Sequence, residues 1–185
     1  MEDNSKQKKN WTLISRRKVY DGSPYINIFK DKVILPNGNI LDDYHRIEIR
    51  DAVILLVEDN EKRLMIYKEY RHGIGRESFT LPAGGIEDGE SIENASLREL
   101  NEETGYTSTN VKKIKSFIVS GSYMFSNLHF VHIKEIKSIN SSPIKDIENP
   151  EIMWLSKKDV SVALENNKFI GLTYATAIML WLYSL

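Results

Sequence analysis

The chain has 185 residues, 41% of them apolar and 28% charged, which suits one folded domain with a real core and at most a small appended unit. Its net charge of −1 creates no broad field for nucleic acid or an anionic membrane, so any grip on a polyanion must come from local groups and a metal. The absence of cysteine excludes disulfides and thiolate metal sites.

The opening MEDNSKQKKN is polar, is expected to fray, and lacks the apolar core of a secretory signal, so the cytoplasm is the expected compartment. From Trp11 to Arg50, short strand-like runs (Thr12–Ile14, Tyr25–Phe29, Lys32–Leu35) are broken by DGSP and PNGN. Pro36-Asn37-Gly38 signals a tight turn, because Asn and Gly accept positive φ. These features predict a small antiparallel β subdomain over residues 1–50, with the main domain over 51–185. Ala52–Val57 is a continuous apolar run, Glu58-Asp59-Asn60-Glu61 supplies a turn, and Leu64–Tyr70 follows, so a core hairpin is expected.

Ser91 to Thr104 reads as a helix. Ser91 is a suitable N-cap, Glu90 and Glu93 suit its positive end, and Gly105 is a good residue just past its C-terminus. Strands are expected over 114–119, 128–136 and 152–155, with a polar loop over 138–150 and helices over 159–165 and 172–185. The uncharged run Phe169–Leu185 approaches the length of a membrane anchor, but Gly171, Thr173, Tyr174, Thr176, Tyr183 and Ser184 dilute it and no basic cluster follows. A buried terminal helix is the expectation.

The chemistry concentrates in GGIEDGESIENASLRELNEETGY, residues 84–106. Gly84 is followed six positions on by Glu90, then by Arg98-Glu99-Leu100, Glu102-Glu103 and Gly105-Tyr106. From ordinary residue frequencies, that pattern arises by chance with probability on the order of 10⁻⁷. On a helix Glu99 and Glu103 lie one turn apart, with Glu102 beside Glu99. Three carboxylates on one face repel each other unless a cation sits among them, and oxygen-only ligands favour Mg²⁺, with Mn²⁺ as a substitute. Arg98 can reach back to Glu90 and fix the loop against the helix, a structural pair. Ile92, Leu97 and Leu100 are expected to face the core. Leu81-Pro82-Ala83-Gly84-Gly85 reads as a loop whose backbone, at Gly84 and Gly85, can approach a substrate closely. Clustered metal would activate a water and clamp phosphoryl oxygens, with a base to take the water's proton.

The chain resembles the Nudix hydrolases, and within them the ADP-ribose pyrophosphatase-like branch. The second resemblance rests on the N-terminal β unit with VILPNG at 33–38, on Glu69-Tyr70-Arg71 and Leu81-Pro82-Ala83-Gly84 leading into the 84–106 pattern, which matches the Nudix box, and on the tail around Glu151–Leu155 and Phe169–Thr173. It implies an α/β/α sandwich (an α+β fold) around a mixed sheet, and a homodimer whose N-terminal strands help build the partner's substrate site. It further implies Glu99, Glu102, Glu103 and the Ala83 carbonyl as metal ligands, and Arg71 near the substrate phosphates or ribose. A catalytic glutamate is implied in KDIENPEI, where Glu148 or Glu151 would serve beside the box residues Glu102 and Glu103.

One departure concerns the substrate. ADP-ribose hydrolases of this branch carry a proline about fifteen residues past the box, followed by a glutamate; here Ser120 stands at the proline's place in VSGSYMFS and no glutamate follows. Tyr123 and Phe125 would suit either apolar packing or stacking on a base. His129 and His132 are three apart on an expected strand, so they point to opposite faces and cannot share a metal; His45 and His72 are isolated. The expected activity is Mg²⁺-dependent hydrolysis of a nucleoside diphosphate linked to another group, such as ADP-ribose or a nucleotide sugar. A hydrolase that removes damaged nucleoside triphosphates and a non-catalytic ligand sensor are the alternatives. Calcium buffering is disfavoured because no twelve-residue calcium loop is present.

Overall fold

The structure is a computed structural model that describes residues 10–139 and 150–184. The expected frayed start (1–9), most of the 138–150 loop and Glu148 lie outside the described residues.

Three long strands come first: β1 (Thr12–Gly22), β2 (Ile26–Ile34) and β3 (Ile40–Ile49), paired antiparallel in succession. The β2–β3 turn is the PNG segment, where Gly38 takes φ +86° and its N–H donates to the Leu35 carbonyl at 2.9 Å. The expected runs Tyr25–Phe29 and Lys32–Leu35 merge into the single strand β2. β1 extends far beyond Thr12–Ile14, because it exposes nine of its eleven residues and so carries no alternating apolar signal. In its place an ion pair ties the strands: Arg16 donates from Nε and Nη2 to the buried carboxylate of Asp31, at 2.8 and 2.7 Å.

The following elements are β4 (Ala52–Val57), β5 (Leu64–Arg71), β6 (Arg76–Thr80), β7 (Ala83–Gly85), α1 (Ile92–Thr104), β8 (Tyr106–Thr107), β9 (Asn110–Ile118) and β10 (Met124–Phe125). After them run β11 (Asn127–Lys134), β12 (Lys137–Ser138), β13 (Glu151–Leu155), α2 (Lys157–Glu165) and α3 (Leu172–Ser184). The chain forms two compact units, one of Met1–Arg50 with Ile118–Asn127, the other of Asp51–Phe117 with Leu128–Leu185. The first holds the sheet β1-β2-β3-β10, in which β10 runs parallel to β3. The second holds the sheets β7-β4-β11-β9 and β13-β5-β6 and the short pair β12-β8.

β4 organises the second unit. It pairs parallel with β11 and antiparallel with β7, which makes its sheet mixed. Ile54 and Leu56 pack with Val160 and Ala163 of α2 and with Ala177, Ile178 and Trp181 of α3. Val53, Leu55 and Val57 point the other way and pack with Ala95 and Leu100 of α1. A strand covered by helices on both faces must be apolar at every position, which is why Ala52–Val57 reads as an unbroken run. The result is a mixed α+β fold with helices on both faces of a mixed sheet.

The expected β4–β5 hairpin is not formed. The Asp59 carboxylate holds a turn by accepting the N–H groups of Glu61 and Arg63, yet a single bridge between Glu58 and Leu64 joins the strands before they enter different sheets. Their apolar residues satisfy the same two cores through non-local partners, so local adjacency does not decide the pairing. α3 is 13 residues long with Ala177, Ile178 and Trp181 buried, and no helix among the described residues is long and apolar enough to cross a membrane.

Candidate active site

α1 begins where the sequence marks it. Ser91 Oγ accepts the Asn94 N–H at 3.1 Å, Glu93 sits in the first turn, and Gly105 closes the helix at φ +71° with its N–H on the Asn101 carbonyl. Ile92 and Leu100 lie against the core, joined by Ala95 and Ser96, whereas Leu97 is only partly buried.

Directly before α1, Ala83–Gly85 is strand β7 and not a loop. It pairs with β4 at Ile54↔Ala83, Val53↔Gly84 and Ala52↔Gly85, and the Leu55 N–H donates to the Pro82 carbonyl at 2.9 Å. This pairing brings Gly84 against the helix so closely that a β-carbon built there would lie 1.9 Å from Cδ of Glu99. The box glycine therefore serves as a seat for the Glu99 carboxylate.

Arg98 is the hub of the charged face. It donates from Nε and Nη2 to the two oxygens of Glu90, each at 2.9 Å, and from Nη2 to the Gly85 carbonyl at 2.8 Å. Its Nη1 donates to Glu99 at 2.6 Å and to Glu102 at 3.3 Å. One guanidinium thus ties β7, the following loop and two helix carboxylates. The bond to Glu90 raises the Arg98 pKa, with the bond to Glu99 adding to it against burial. The same bond lowers the Glu90 carboxyl, helped by the Glu87 N–H. Burial pushes the Glu99 carboxyl up and outweighs the opposing pull of Arg98, with Glu102 and Glu90 adding repulsion.

Glu103 accepts at Oε2 from the Tyr67 hydroxyl, 3.2 Å away. Among the described residues, no three acidic or histidine side chains converge as a ready-made ligand set: Glu99 and Glu102 share Arg98, while Glu103 sits with Tyr67. Tyr67, Glu69 and Arg71 share one face of β5 by strand alternation, the face on which Tyr67 meets Glu103. The Arg71 Nη1 donates to the buried Glu69 carboxylate at 3.1 Å, and the Thr80 hydroxyl donates to the same oxygen at 2.6 Å. Tyr67, Glu69 and Thr80 are functional candidates that the sequence alone does not mark. No local signal singles them out, because β5 ends in Lys68-Glu69-Tyr70-Arg71 and β6 is polar at four of its five positions, so a buried carboxylate does not stand out from its exposed neighbours.

The remaining expectations fall elsewhere. Glu151 begins β13, is exposed, and lies 3.6 Å from Lys68 Nζ, its register partner on β5. His129 and His132 occupy opposite faces of β11: Ser116 Oγ meets His129 Nδ1 at 2.7 Å, and His132 Nε2 lies 3.2 Å from Glu58. Tyr123 stacks on Tyr44 with centroids 6.5 Å apart, and Phe125 lies under Arg46 at 4.7 Å.

Comparison with known proteins identifies the family. The NUDIX domain family matches residues 48–174, and the nucleoside diphosphate sugar hydrolase N-terminal domain matches residues 11–47. The chain is 28% identical, over 89% of its own length and 89% of the relative's, to an ADP-ribose pyrophosphatase of Bacillus subtilis (strain 168). It is 25% identical, over 91% of its length and 79% of the relative's, to a CMP-5'-(N-acetyl-N-hydroxy-3-aminopropyl)phosphonate hydrolase of Streptomyces rubellomurinus. A solved structure described as an ADP compounds hydrolase shares the fold, with a TM-score of 0.79 and 22% identity over 92% of this chain and 91% of that one.

Proposed function

This chain belongs to the Nudix family, and from that premise we propose that it hydrolyses the pyrophosphate bond of a nucleoside diphosphate joined to a second moiety, of the ADP-ribose or nucleotide-sugar type. The observation that carries the reading is the seating of the acidic face of α1 on the glycine of β7, with Glu99 in the place a side chain at Gly84 would fill.

The residues present fit a hard divalent cation. Every available donor is an oxygen, and the glycine seat holds one carboxylate at a defined place beside the β7 backbone. Glu99, Glu102 and Glu103, with the Ala83 carbonyl, are the groups that would hold Mg²⁺, or Mn²⁺ in its place. Such a cation would supply Lewis acidity, making an attacking water easier to deprotonate and offsetting charge on the departing phosphate.

This chain's own residues supply the remainder. Arg98, through Glu90 and the Gly85 carbonyl, holds the loop to the helix and sets the orientation of Glu99. The Tyr67 hydroxyl orients Glu103. Arg71 engages the substrate phosphates or ribose, and the backbone at Gly84 and Gly85 lines the phosphate side. A glutamate, Glu102, Glu103 or Glu148, takes the proton of the attacking water. The water oxygen bonds to phosphorus, the bridging oxygen leaves with the other phosphate, and a nucleoside monophosphate and a phosphorylated second group are released.

The first unit supports a homodimer in which its strands reach the partner's substrate site. β1 exposes Leu13, Ile14, Val19 and Tyr20, with Trp11 just before it, apolar side chains that a partner subunit would cover.

The test is a panel of ADP-ribose, GDP-mannose, UDP-glucose, diadenosine polyphosphates and nucleoside triphosphates with Mg²⁺. Phosphate release is read after a phosphomonoesterase for the linked compounds, and after an inorganic pyrophosphatase for the triphosphates. Activity on a diphosphate-linked compound that is lost in Glu103→Gln supports the reading. Turnover of triphosphates alone overturns the substrate class, and ligand binding with no turnover overturns catalysis.

A further inference from the structure

Glu69 is a buried carboxylate that the mechanism above does not use. It is 7% exposed, and one of its oxygens accepts both the Thr80 hydroxyl at 2.6 Å and the Arg71 guanidinium at 3.1 Å. Burying an anion is costly unless donors surround it, so it persists in a strand interior where its bonds do something an apolar side chain does not. Thr80 is itself fully buried on β6, directly opposite Tyr67 in the β5–β6 register, and so is an immobile donor. The Arg71 side chain is 37% exposed and sits at the end of β5. The carboxylate therefore joins a fixed point in the core to a long cation at the rim, on the face of β5 that carries Tyr67 to Glu103.

We infer that Glu69 is a positioning residue for the pyrophosphate substrate: braced by Thr80, it holds the Arg71 guanidinium in place before the substrate arrives. Arginine carries a long, flexible stem, and binding an anion with it costs side-chain freedom unless the guanidinium is already restrained. The Thr80–Glu69 brace removes that freedom in advance. It also leaves Arg71 in a charge-balanced pair, so the contact acts through geometry more than through net charge. The inference rests on the reading of Arg71 as a substrate contact.

The test is a set of steady-state measurements on wild type, Glu69→Gln, Thr80→Val, Arg71→Ala and the double variant Glu69→Gln/Arg71→Ala, with whichever diphosphate-linked compound the panel identifies. Thermal unfolding of each variant is followed in parallel. Glu69→Gln and Thr80→Val are each expected to raise KM by about three- to tenfold while kcat changes by less than about twofold, the signature of a lost ground-state contact. Glu69→Gln is expected to add nothing further in the Arg71→Ala background, because the brace then has nothing to hold. A loss of stability in either single variant without the KM effect makes the pair merely structural and overturns the inference. So does an additive double variant. If Arg71→Ala itself leaves KM and kcat at wild-type values, it is the reading of Arg71 that fails.

Discussion

Gly84 and Glu99 occupy the same space: a β-carbon on the glycine would stand 1.9 Å from Cδ of the glutamate and 2.0 Å from its Oε1. Residues fifteen positions apart in the chain thus meet in a contact that a side chain at position 84 could enter only by displacing the Glu99 carboxylate. Gly84→Ala should push the Glu99 carboxylate out of its seat while leaving the sheet and helix intact. A displacement of about 1 Å at a reacting centre costs on the order of 100-fold in rate. The check is kcat for the variant beside its circular dichroism; a folded Gly84→Ala protein with wild-type kcat would refute the assignment of this seat.

Arg98 meets four partners with one guanidinium, and lysine cannot reproduce that geometry. Arg98→Lys should lower stability by about 1–3 kcal/mol, the cost of leaving charged partners short of donors. It should also lower activity, because Glu90, Glu99 and the Gly85 carbonyl lose their common tie. Urea titration and kcat measured together decide it. Loss of one without the other would show that the hub serves only the fold or only the site.

Chelation should abolish turnover, and added Mg²⁺ should restore it. The ligand assignment has a readout apart from activity, namely Mn²⁺ titration followed by electron paramagnetic resonance on the protein alone. Glu99→Gln, Glu102→Gln and Glu103→Gln should each weaken Mn²⁺ binding by about tenfold or more. Tyr67→Phe, which removes only the donor to Glu103, should weaken it less. Unchanged Mn²⁺ affinity in all three glutamine variants would place the metal elsewhere.

Just past the end of β4, Glu58 meets α3 and β11: it accepts the Trp181 indole N–H at 3.0 Å, with His132 at 3.2 Å and Lys134 at 3.5 Å. Burial raises the Glu58 carboxyl, but the Trp181 bond and the charges of His132 and Lys134 outweigh it, and its pKa lies below the ordinary 4.5. Burial holds His132 below 6.5 against the pull of Glu58. Both folded pKa values are depressed, so the unfolded chain binds more protons as pH falls through 6.5 and then through 4.5. The stability contributed by the pair is present above those values and is lost toward acid. Glu58→Gln and His132→Gln should each flatten the fall of unfolding free energy between about pH 7 and about pH 4. Chemical denaturation at stepped pH measures it, and an unchanged slope in both variants would remove these groups from the acid response.

The box helix was legible because its signals are local. The cap residues Ser91 and Gly105, the spacing of Ile92 and Leu100, and the order of Glu90, Arg98, Glu99, Glu102 and Glu103 all lie within one continuous stretch. β4 was legible for a related reason: covered on both faces, it must be apolar throughout. β1 was only partly legible and no run marked β3, since strands with much of their surface in solvent carry little periodic apolar pattern. The β4–β5 hairpin was misread because its turn is genuine while its pairing is not, each strand finding its partners elsewhere in the chain.

By itself, then, the sequence determined the family and the acidic helix with its oxygen-only side chains, because those depend on residue type and short spacing. Tertiary structure alone decided that Gly84 seats Glu99, that Tyr67 holds Glu103, and that Thr80, Glu69 and Arg71 form a chain of bonds from core to rim. Each of those contacts joins different elements, and its geometry follows from which strands pair and which faces the helices cover. Pairing is set by burial summed over the whole unit, a quantity that no local stretch of sequence contains.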